Sequence, residues 1–417
     1  MPKQRVLVIG SGGREHALCM HLAQHESEVF CAPGSDGIAE QFKTFSFRDY
    51  AELFQKIQEH KIDLVVVGPE KYLADGIADD LSSRGVSVFG PTRAASLLEA
   101  DKAWAKTFCL RHRIPMAKSS VVRSPEELAA ALKNHEAPYV IKASGLAAGK
   151  GVWIGNKLDE ALSFGSEALK GHSSVVVEEF LQGEELSFFA MVEGSHYLIL
   201  GSAQDHKRLL ENDEGPNTGG MGAYSPVPIS TPELEAKIVE RILKPTLAGL
   251  AKEKLFYRGF LFLGVMVKNN EPYLLEYNCR LGDPETQALM MRLETPLVSL
   301  IDSLANSPLT PSLSKKVALN VVVAARGYPE HPEEGFELGT LDQLPEHCKL
   351  FHSGTRRAHG KWQAKGGRLF SVNAAMPSLL DCQQTLYPWI EGLSCQDKIV
   401  YRKDIAVKAY RHLRDAV

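Results

Sequence analysis

At 417 residues the chain is too long for a single core, and roughly two to four domains are expected. Its 47 basic and 51 acidic residues leave a net charge of -4, which argues against a nucleic-acid partner while leaving local phosphate sites open. No apolar run reaches the roughly 18 residues of a membrane span, Met1–Gly10 is too short for a signal peptide, and seven cysteines without a C-x-x-C pair read as reduced, structural thiols of a cytoplasmic protein.

Strands and helices alternate over the first hundred residues. Arg5–Ile9, Glu28–Ala32, Asp63–Val67 and Val86–Phe89 read as buried strands, with helices starting near Glu15, Tyr50 and Leu73. That pattern predicts a doubly wound parallel sheet with ligands at the carboxyl ends of its strands. Those ends carry glycine or proline breaks: Gly10-Ser11-Gly12-Gly13, Pro33-Gly34, Gly68-Pro69-Glu70 and Gly90-Pro91-Thr92. The first is no dinucleotide fingerprint, because Glu15 stands where the third glycine belongs and no acidic residue closes the second strand. A glycine loop feeding a helix N-terminus beside Arg14 suits a small phosphate monoester; on these residues alone a plain tight turn serves equally.

Thr92 caps a predicted helix running to about Arg113, with Lys102 and Lys106 on one face and Trp104 and Phe108 on another. Ser124-Pro125-Glu126-Glu127 is a capping box that opens a short helix. After the strand Tyr139–Ala143, Gly145-Leu146-Ala147-Ala148-Gly149-Lys150-Gly151 approaches a P-loop without being one, since Gly151 replaces the hydroxyl that holds magnesium. With Lys142 before it and Lys150 inside it, the loop suits a flap over a triphosphate or, equally, a surface hairpin. The strand Val175–Glu179 leads into an acidic turn ending at Glu185, whose backbone suits an adenine edge and whose carboxylates suit ribose hydroxyls. Gln204–Arg208 and Gly215–Gly222, the latter with four glycines in eight residues, read as loops.

Phe260–Val267, the turn Asn269-Asn270-Glu271 and Leu274–Gln287 predict a hairpin. On a regular strand Leu274, Glu276 and Asn278 share one face, and Leu275, Tyr277 and Cys279 the other. Glu276 and Asn278 are hard oxygen donors suited to a magnesium ion that also holds phosphates, or to a solvated turn. Arg280 adds a cation where charge on a transferring phosphoryl group is met. Ser307–Ser312 reads as a linker, Val317–Ala325 as a buried strand, and Leu379–Ile390 as a helix.

Taken together, Gly145–Gly151, Gln204–Arg208, Gly215–Ser225 and Glu276–Gln287 resemble the phosphoribosylamine–glycine ligase (glycinamide ribonucleotide synthetase) family of the ATP-grasp superfamily. The likeness extends to Gly10–His16, Gly68-Pro69-Glu70 and Arg402-Lys403-Asp404-Ile405, essentially the whole chain. It implies an N-terminal doubly wound α/β domain over 1–101, an ATP-grasp domain of two α+β subdomains over 102–312 with a lid at about 122–190, and a small C-terminal α+β domain over 313–417. The implied reaction joins glycine to 5-phosphoribosylamine through a glycyl phosphate, consuming ATP, in de novo purine biosynthesis. The implied partners are small molecules, with no nucleic acid and no membrane.

Residue by residue, the resemblance implies that Lys106, Lys142 and Lys150 with Gly149 meet the ATP phosphates, that Glu179, Phe180 and Leu181 hold adenine, and that Glu185 holds ribose. Gly12, Gly13, Arg14, Glu15, Gly34, Glu70, Lys207, Asn217, Thr218, Gly219 and Asp283 are implied for the other substrates. Arg280, Lys142 and Asp283 are implied for catalysis, and Glu276 and Asn278 for magnesium or manganese. Ser144, Ser35, Lys71-Tyr72 and Ala406 depart from the family pattern, and Leu263-Gly264-Val265 lacks a carboxylate that many superfamily members carry. Another ATP-grasp ligase or carboxylase with a different acceptor is the alternative reading, and an idle nucleotide-binding protein a third.

Overall fold

A computed structural model describes residues 3–24, 27–146 and 151–414. β1 (Arg5–Gly10), β2 (Glu28–Pro33), β3 (Lys43–Thr44), β4 (Leu64–Val67) and β5 (Val88–Phe89) form a parallel sheet in the order β3-β2-β1-β4-β5. Val6–Ile9 is fully buried, as a parallel strand covered on both faces must be. Strand order reverses at β1, so the turns after β1 and β4 open into one crevice at the switch point. The helix expected near Leu73 is two, Glu70–Asp75 and Ile77–Ser83, because Gly76 between them takes φ 89°, a left-handed conformation that ends the first. The helix expected from Thr92 to Arg113 also divides, into Leu97–Ala100 and Lys102–Arg111. There the Asp101 carboxylate accepts from Trp104 N at 3.0 Å and caps a new start.

A small antiparallel sheet follows, of β6 (Ser119–Val122), β7 (Tyr139–Ala143), β8 (Val152–Gly155) and β9 (Val175–Glu178) in the order β6-β9-β7-β8. Leu128 and Leu132 of the helix Pro125–Lys133 and Ala161 of Leu158–Gly171 pack on Val122, Ile141, Val175 and Val177 to make its core. Ser124 Oγ accepts from Glu127 N, as the capping box requires. Gly149 and Lys150 of the expected flap lie outside the described residues.

β10 (Glu184–Glu193) and β11 (His196–Asp205) begin the large sheet. β12 (Arg208–Leu210) and β13 (Glu214–Asn217) then form a separate hairpin, so the start of the glycine-rich stretch is paired strand rather than loop. β14 (Gly222–Ser225), β15 (Arg258–Lys268), β16 (Glu271–Asn278), β17 (Val317–Ala325), β18 (Cys348–His352) and β21 (Arg368–Met376) complete it in the order β16-β15-β10-β11-β14-β17-β21-β18. β19 (Thr355–Ala358) and β20 (Lys361–Ala364) form a hairpin beside it. β14 is the joint, pairing with β11 on one edge and β17 on the other. The C-terminal strands thus extend the central sheet.

The hairpin of β15 and β16 forms as expected, but its alternation does not. Pairing passes from Gly264↔Glu276 to Val265↔Leu274, leaving Leu275 unpaired in a bulge. An extra residue reverses the facing on one side of it. Leu274 therefore joins Tyr277 and Cys279 in the core, not the face of Glu276 and Asn278.

The C-terminal strands also abut the first sheet. His16 Nδ1 accepts from His352 N at 3.0 Å, the two rings stack at 5.8 Å, and Arg357 N donates to Asp36 at 2.8 Å. Burial, then the neighbouring His352, lowers the His16 pKa to about 3; burial lowers that of His352 to about 4. Both rings stay neutral in the fold but protonate in the unfolded chain below a pH of about 6.5. The unfolded state then binds more protons, so this stability is complete above that pH and is lost as pH falls towards the folded values. We expect Tm to drop across this window and His16→Asn to reduce proton uptake on acid unfolding by up to about one proton. Unchanged uptake would remove His16 from the account.

Candidate active site

The three sheets enclose a cleft of about 1010 Å³. The end of β16 forms its floor. Burial would raise the Glu276 pKa, but Lys207, Lys142 and Lys102 hold it below the usual carboxylate value. Asn278 is 8 % exposed, and its Nδ2 has no partner among the described residues. Amide oxygen and nitrogen interchange by a flip, so an oxygen is available to turn into the cleft. An ionised carboxylate and an unspent amide are the donors a hard divalent cation takes, with phosphate and water completing its shell.

Opposite the floor, Lys106 and Lys142 bring their Nζ atoms to 2.9 Å from separate oxygens of Glu178. Both also lie 3.5 Å from the Leu275 carbonyl, at the bulge. Ala117, Leu181 and Met266, with Tyr273 and Leu275 against them, make an apolar shelf suited to a flat base, with Phe180 exposed beside it. The Glu179 carboxylate accepts from Lys118 N at 3.0 Å, and Glu185 pairs with Lys207 at 2.6 Å. Ser144, where an aspartate was expected, donates to Asp101 at 2.7 Å and accepts from Ala103 N at 3.0 Å, tying the loop to the lysine-bearing helix.

Arg280 joins two domains. Its Nε donates to Glu70 at 3.1 Å, Nη2 lies 2.9 Å from Glu99, and Nη1 donates to the Leu281 carbonyl at 3.3 Å. Burial works against its charge, but Glu99 and Glu70 hold the guanidinium above its ordinary pKa.

At the far end Arg14, Glu70, Lys207, Asn217, Thr218, Gly219 and Asp283 line the cleft, whereas Gly12, Gly13, Glu15 and Gly34 are not among its lining residues. Glu15 is 2 % exposed, pairs with Arg14 at 2.5 Å and accepts from Gly12 N at 2.8 Å. It fills the space under Gly68, where a Cβ would stand 2.2 Å from its carboxylate oxygen. Its carboxylate is committed to bracing the loop. Ser35 accepts from Ile38 N, and Tyr72 packs on Phe47; neither lines the cleft, nor does Lys71.

Several cleft residues carried no expectation. Asp205 is half-buried and Glu285 buried, both with raised carboxyl pKa, first from burial and, for Asp205, next from Glu285. Asp205 ends β11 against the turn before Glu285: a Cβ on Gly220 would stand 2.7 Å from Asp205 Oδ1 and 2.4 Å from Pro284 Cδ. Their motifs were legible, but their proximity was not. Arg368, at the start of β21, donates to the Gly219 carbonyl at 2.6 Å and the Asp283 carbonyl at 2.7 Å; Tyr328 Oη accepts from Gly219 N at 2.9 Å. Lys408 and Arg411 also reach the cleft, and His412 pairs with Glu184 at 2.9 Å. Replacing Arg368 with Ala removes charged hydrogen bonds to the Gly219 and Asp283 carbonyls, an effect of roughly 10- to 100-fold. The expected result is that loss in kcat/KM for the non-nucleotide substrates with the KM for ATP unchanged; equal loss for ATP would refute it.

The sequence matches the phosphoribosylglycinamide synthetase N domain over residues 4–99, its ATP-grasp (A) domain over 100–286 and its C domain over 318–408. It is 41% identical to the phosphoribosylamine–glycine ligase of Pasteurella multocida, over 97% of this chain and 98% of that one. The crystal structure of the phosphoribosylamine–glycine ligase from Thermotoga maritima superposes with a TM-score of 0.84 at 36% identity, covering 96% of this chain and all of that one. The biotin carboxylase domain of Hydrogenobacter thermophilus 2-oxoglutarate carboxylase, solved with magnesium ADP, shares the fold with a TM-score of 0.73 at 14% identity, covering 96% of this chain and 92% of that one.

Proposed function

Because the chain belongs to the phosphoribosylglycinamide synthetase family, we infer that it is the ATP-dependent ligase of glycine and 5-phosphoribosylamine and that the cleft is where the reaction runs. The products are glycinamide ribonucleotide, ADP and phosphate. The observation that carries this reading is convergence: cations from the N-terminal, central and C-terminal sheets face one hairpin end bearing Glu276 and Asn278.

Glycine's carboxylate is a poor electrophile. One of its oxygens takes the γ-phosphoryl group, giving a glycyl phosphate; the amine nitrogen then attacks the carbonyl carbon, phosphate leaves with the bonding pair, and the nitrogen sheds a proton. Both steps concentrate negative charge on phosphoryl oxygens, so fixed cations do most of the work. Lys106 and Lys142 flank the phosphates, and Lys150 with Gly149 closes over them. Adenine lies on the shelf between Leu181 and Met266, beside Phe180 and the Glu179 backbone, and Glu185 exchanges Lys207 for ribose. Glu276 and Asn278 would hold a magnesium or manganese ion, which would neutralise phosphate charge there. Arg280 faces the transferring group, while Asp205 and Glu285 receive glycine's ammonium. Arg14 and Glu70, with Lys207, Asn217–Gly219 and Asp283, hold the phosphoribosylamine end, and Gly12, Gly13, Glu15 and Gly34 shape the turns beside Arg14.

This assignment goes with the domain division at 1–101, 102–312 and 313–417, a cytoplasmic location, and small molecules as partners. Among the described residues no helix is long and apolar enough to cross a membrane. In a coupled assay ADP should appear only when glycine and freshly made phosphoribosylamine are both supplied. ATP turnover indifferent to glycine would reject the reading, and turnover with bicarbonate or other amines would favour a different acceptor.

A further inference from the structure

Glu178 closes β9 and is 2 % exposed. It belongs to the small sheet with Lys142, whereas Lys106 comes from the helix Lys102–Arg111, which packs against β16. One carboxylate oxygen meets Lys106 Nζ and the other Lys142 Nζ, each at 2.9 Å. We propose that Glu178 is a positioning residue: it keeps the two phosphate-facing lysines charged, aims them into the cleft, and couples the small sheet to the large one at the nucleotide. The proposal rests on the cleft being the ATP site.

The physical case begins with charge. Two buried ammonium groups sharing one carbonyl, that of Leu275, repel each other, and burial disfavours both. A carboxylate placed between them counters both effects: against burial, it helps hold Lys142 above its ordinary pKa and limits the lowering that burial imposes on Lys106. Accordingly, although burial works to raise its pKa, Lys142 and Lys106 hold Glu178 below the usual carboxylate value. Each ammonium has three N–H groups, so an ion-pair contact with Glu178 and a long bond to Leu275 leave a donor for a phosphate oxygen. One carboxylate balances only one of the two ammonium charges, so the trio still presents net positive charge to an incoming triphosphate.

A purely structural ion pair would affect folding or every substrate alike; a positioning residue affects nucleotide binding through the lysines. The experiment is calorimetric titration of the full chain with a non-hydrolysable ATP analogue and magnesium, which needs no turnover. E178Q keeps the side-chain shape without the charge and should weaken binding by about 10- to 100-fold while leaving the KM for glycine near that of the parent. K106M should weaken binding similarly, and K106M/E178Q should lose clearly less than the product of the two single effects, because Glu178 acts in part through Lys106 and in part through Lys142. Binding by E178Q within twofold of the parent, or losses that multiply in the double variant, would overturn the proposal. If E178Q does not fold, E178D, which keeps the charge but withdraws it by one methylene, takes its place with the same criteria. No nucleotide binding by the parent overturns both this inference and the site assignment; parental binding with an indifferent E178Q overturns this one alone.

Discussion

Arg280→Ala is expected to lower kcat by on the order of 10³, with only a modest change in ATP affinity, as for arginines that act on a transferring phosphoryl group. The structure adds a second consequence. Glu99 is buried, pairs with Arg280 at 2.9 Å and accepts from Cys279 N at 2.7 Å, so removing the guanidinium leaves a carboxylate in the core without its cation. Breaking such a pair costs about 3–5 kcal/mol. Burial already raises the Glu99 pKa despite Arg280, and without the guanidinium it should rise further. Adding Glu99→Gln separates the two effects. Arg280→Ala/Glu99→Gln should recover most of the lost Tm and none of the lost turnover. Parental kcat in that double variant, at saturating substrates, would take Arg280 out of the chemistry.

A second large effect is expected at Asp205. Two carboxylates held together destabilise each other until a cation arrives, and glycine brings one as its ammonium group. Asp205→Asn should raise the KM for glycine by about 10²-fold, the scale of a truncated buried charge pair, with little change for ATP. It should also raise Tm, because it relieves the repulsion by Glu285. Opposite movement of affinity and stability is the signature of a site that is strained before its ligand binds. The pH dependence has a definite sign. Lys207 and Arg368 face Asp205, and Lys207 and Arg280 face Glu285, yet both carboxyls stay raised. A proton held by the pair competes with the ammonium, so the parental KM for glycine should fall as pH rises, until the pair is ionised. The slope should disappear in Asp205→Asn. A glycine KM unchanged by the substitution would move the ammonium site elsewhere.

Chemistry was legible in the sequence wherever it resides in contiguous residues. The breaks after β1 and β4, the oxygen-donor residue types at Glu276 and Asn278, and Lys142 before the glycine loop were readable from local rules. Turn chemistry and ligand type are properties of residues a few positions apart. The same holds for the parallel sheet, whose buried strands and intervening helices announce themselves by periodicity.

Tertiary structure decided the rest. One unpaired residue at Leu275 reversed the facing of Leu274 and left its own carbonyl to the two lysines, and no alternation pattern encodes which strand carries a bulge. Glu15 lies beside Arg14 in the sequence, yet folds back under Gly68 and out of the cleft. Arg368 and Asp283 are 85 positions apart, and their meeting depends on β14 joining two sets of strands into one sheet; Asp205 and Glu285, 80 apart, meet because β10 pairs with β15 and so joins β11 to β16. Charge pairing acts through space, and where charges share a buried volume, the packing of the whole chain determines which are offset and which remain for a ligand to satisfy.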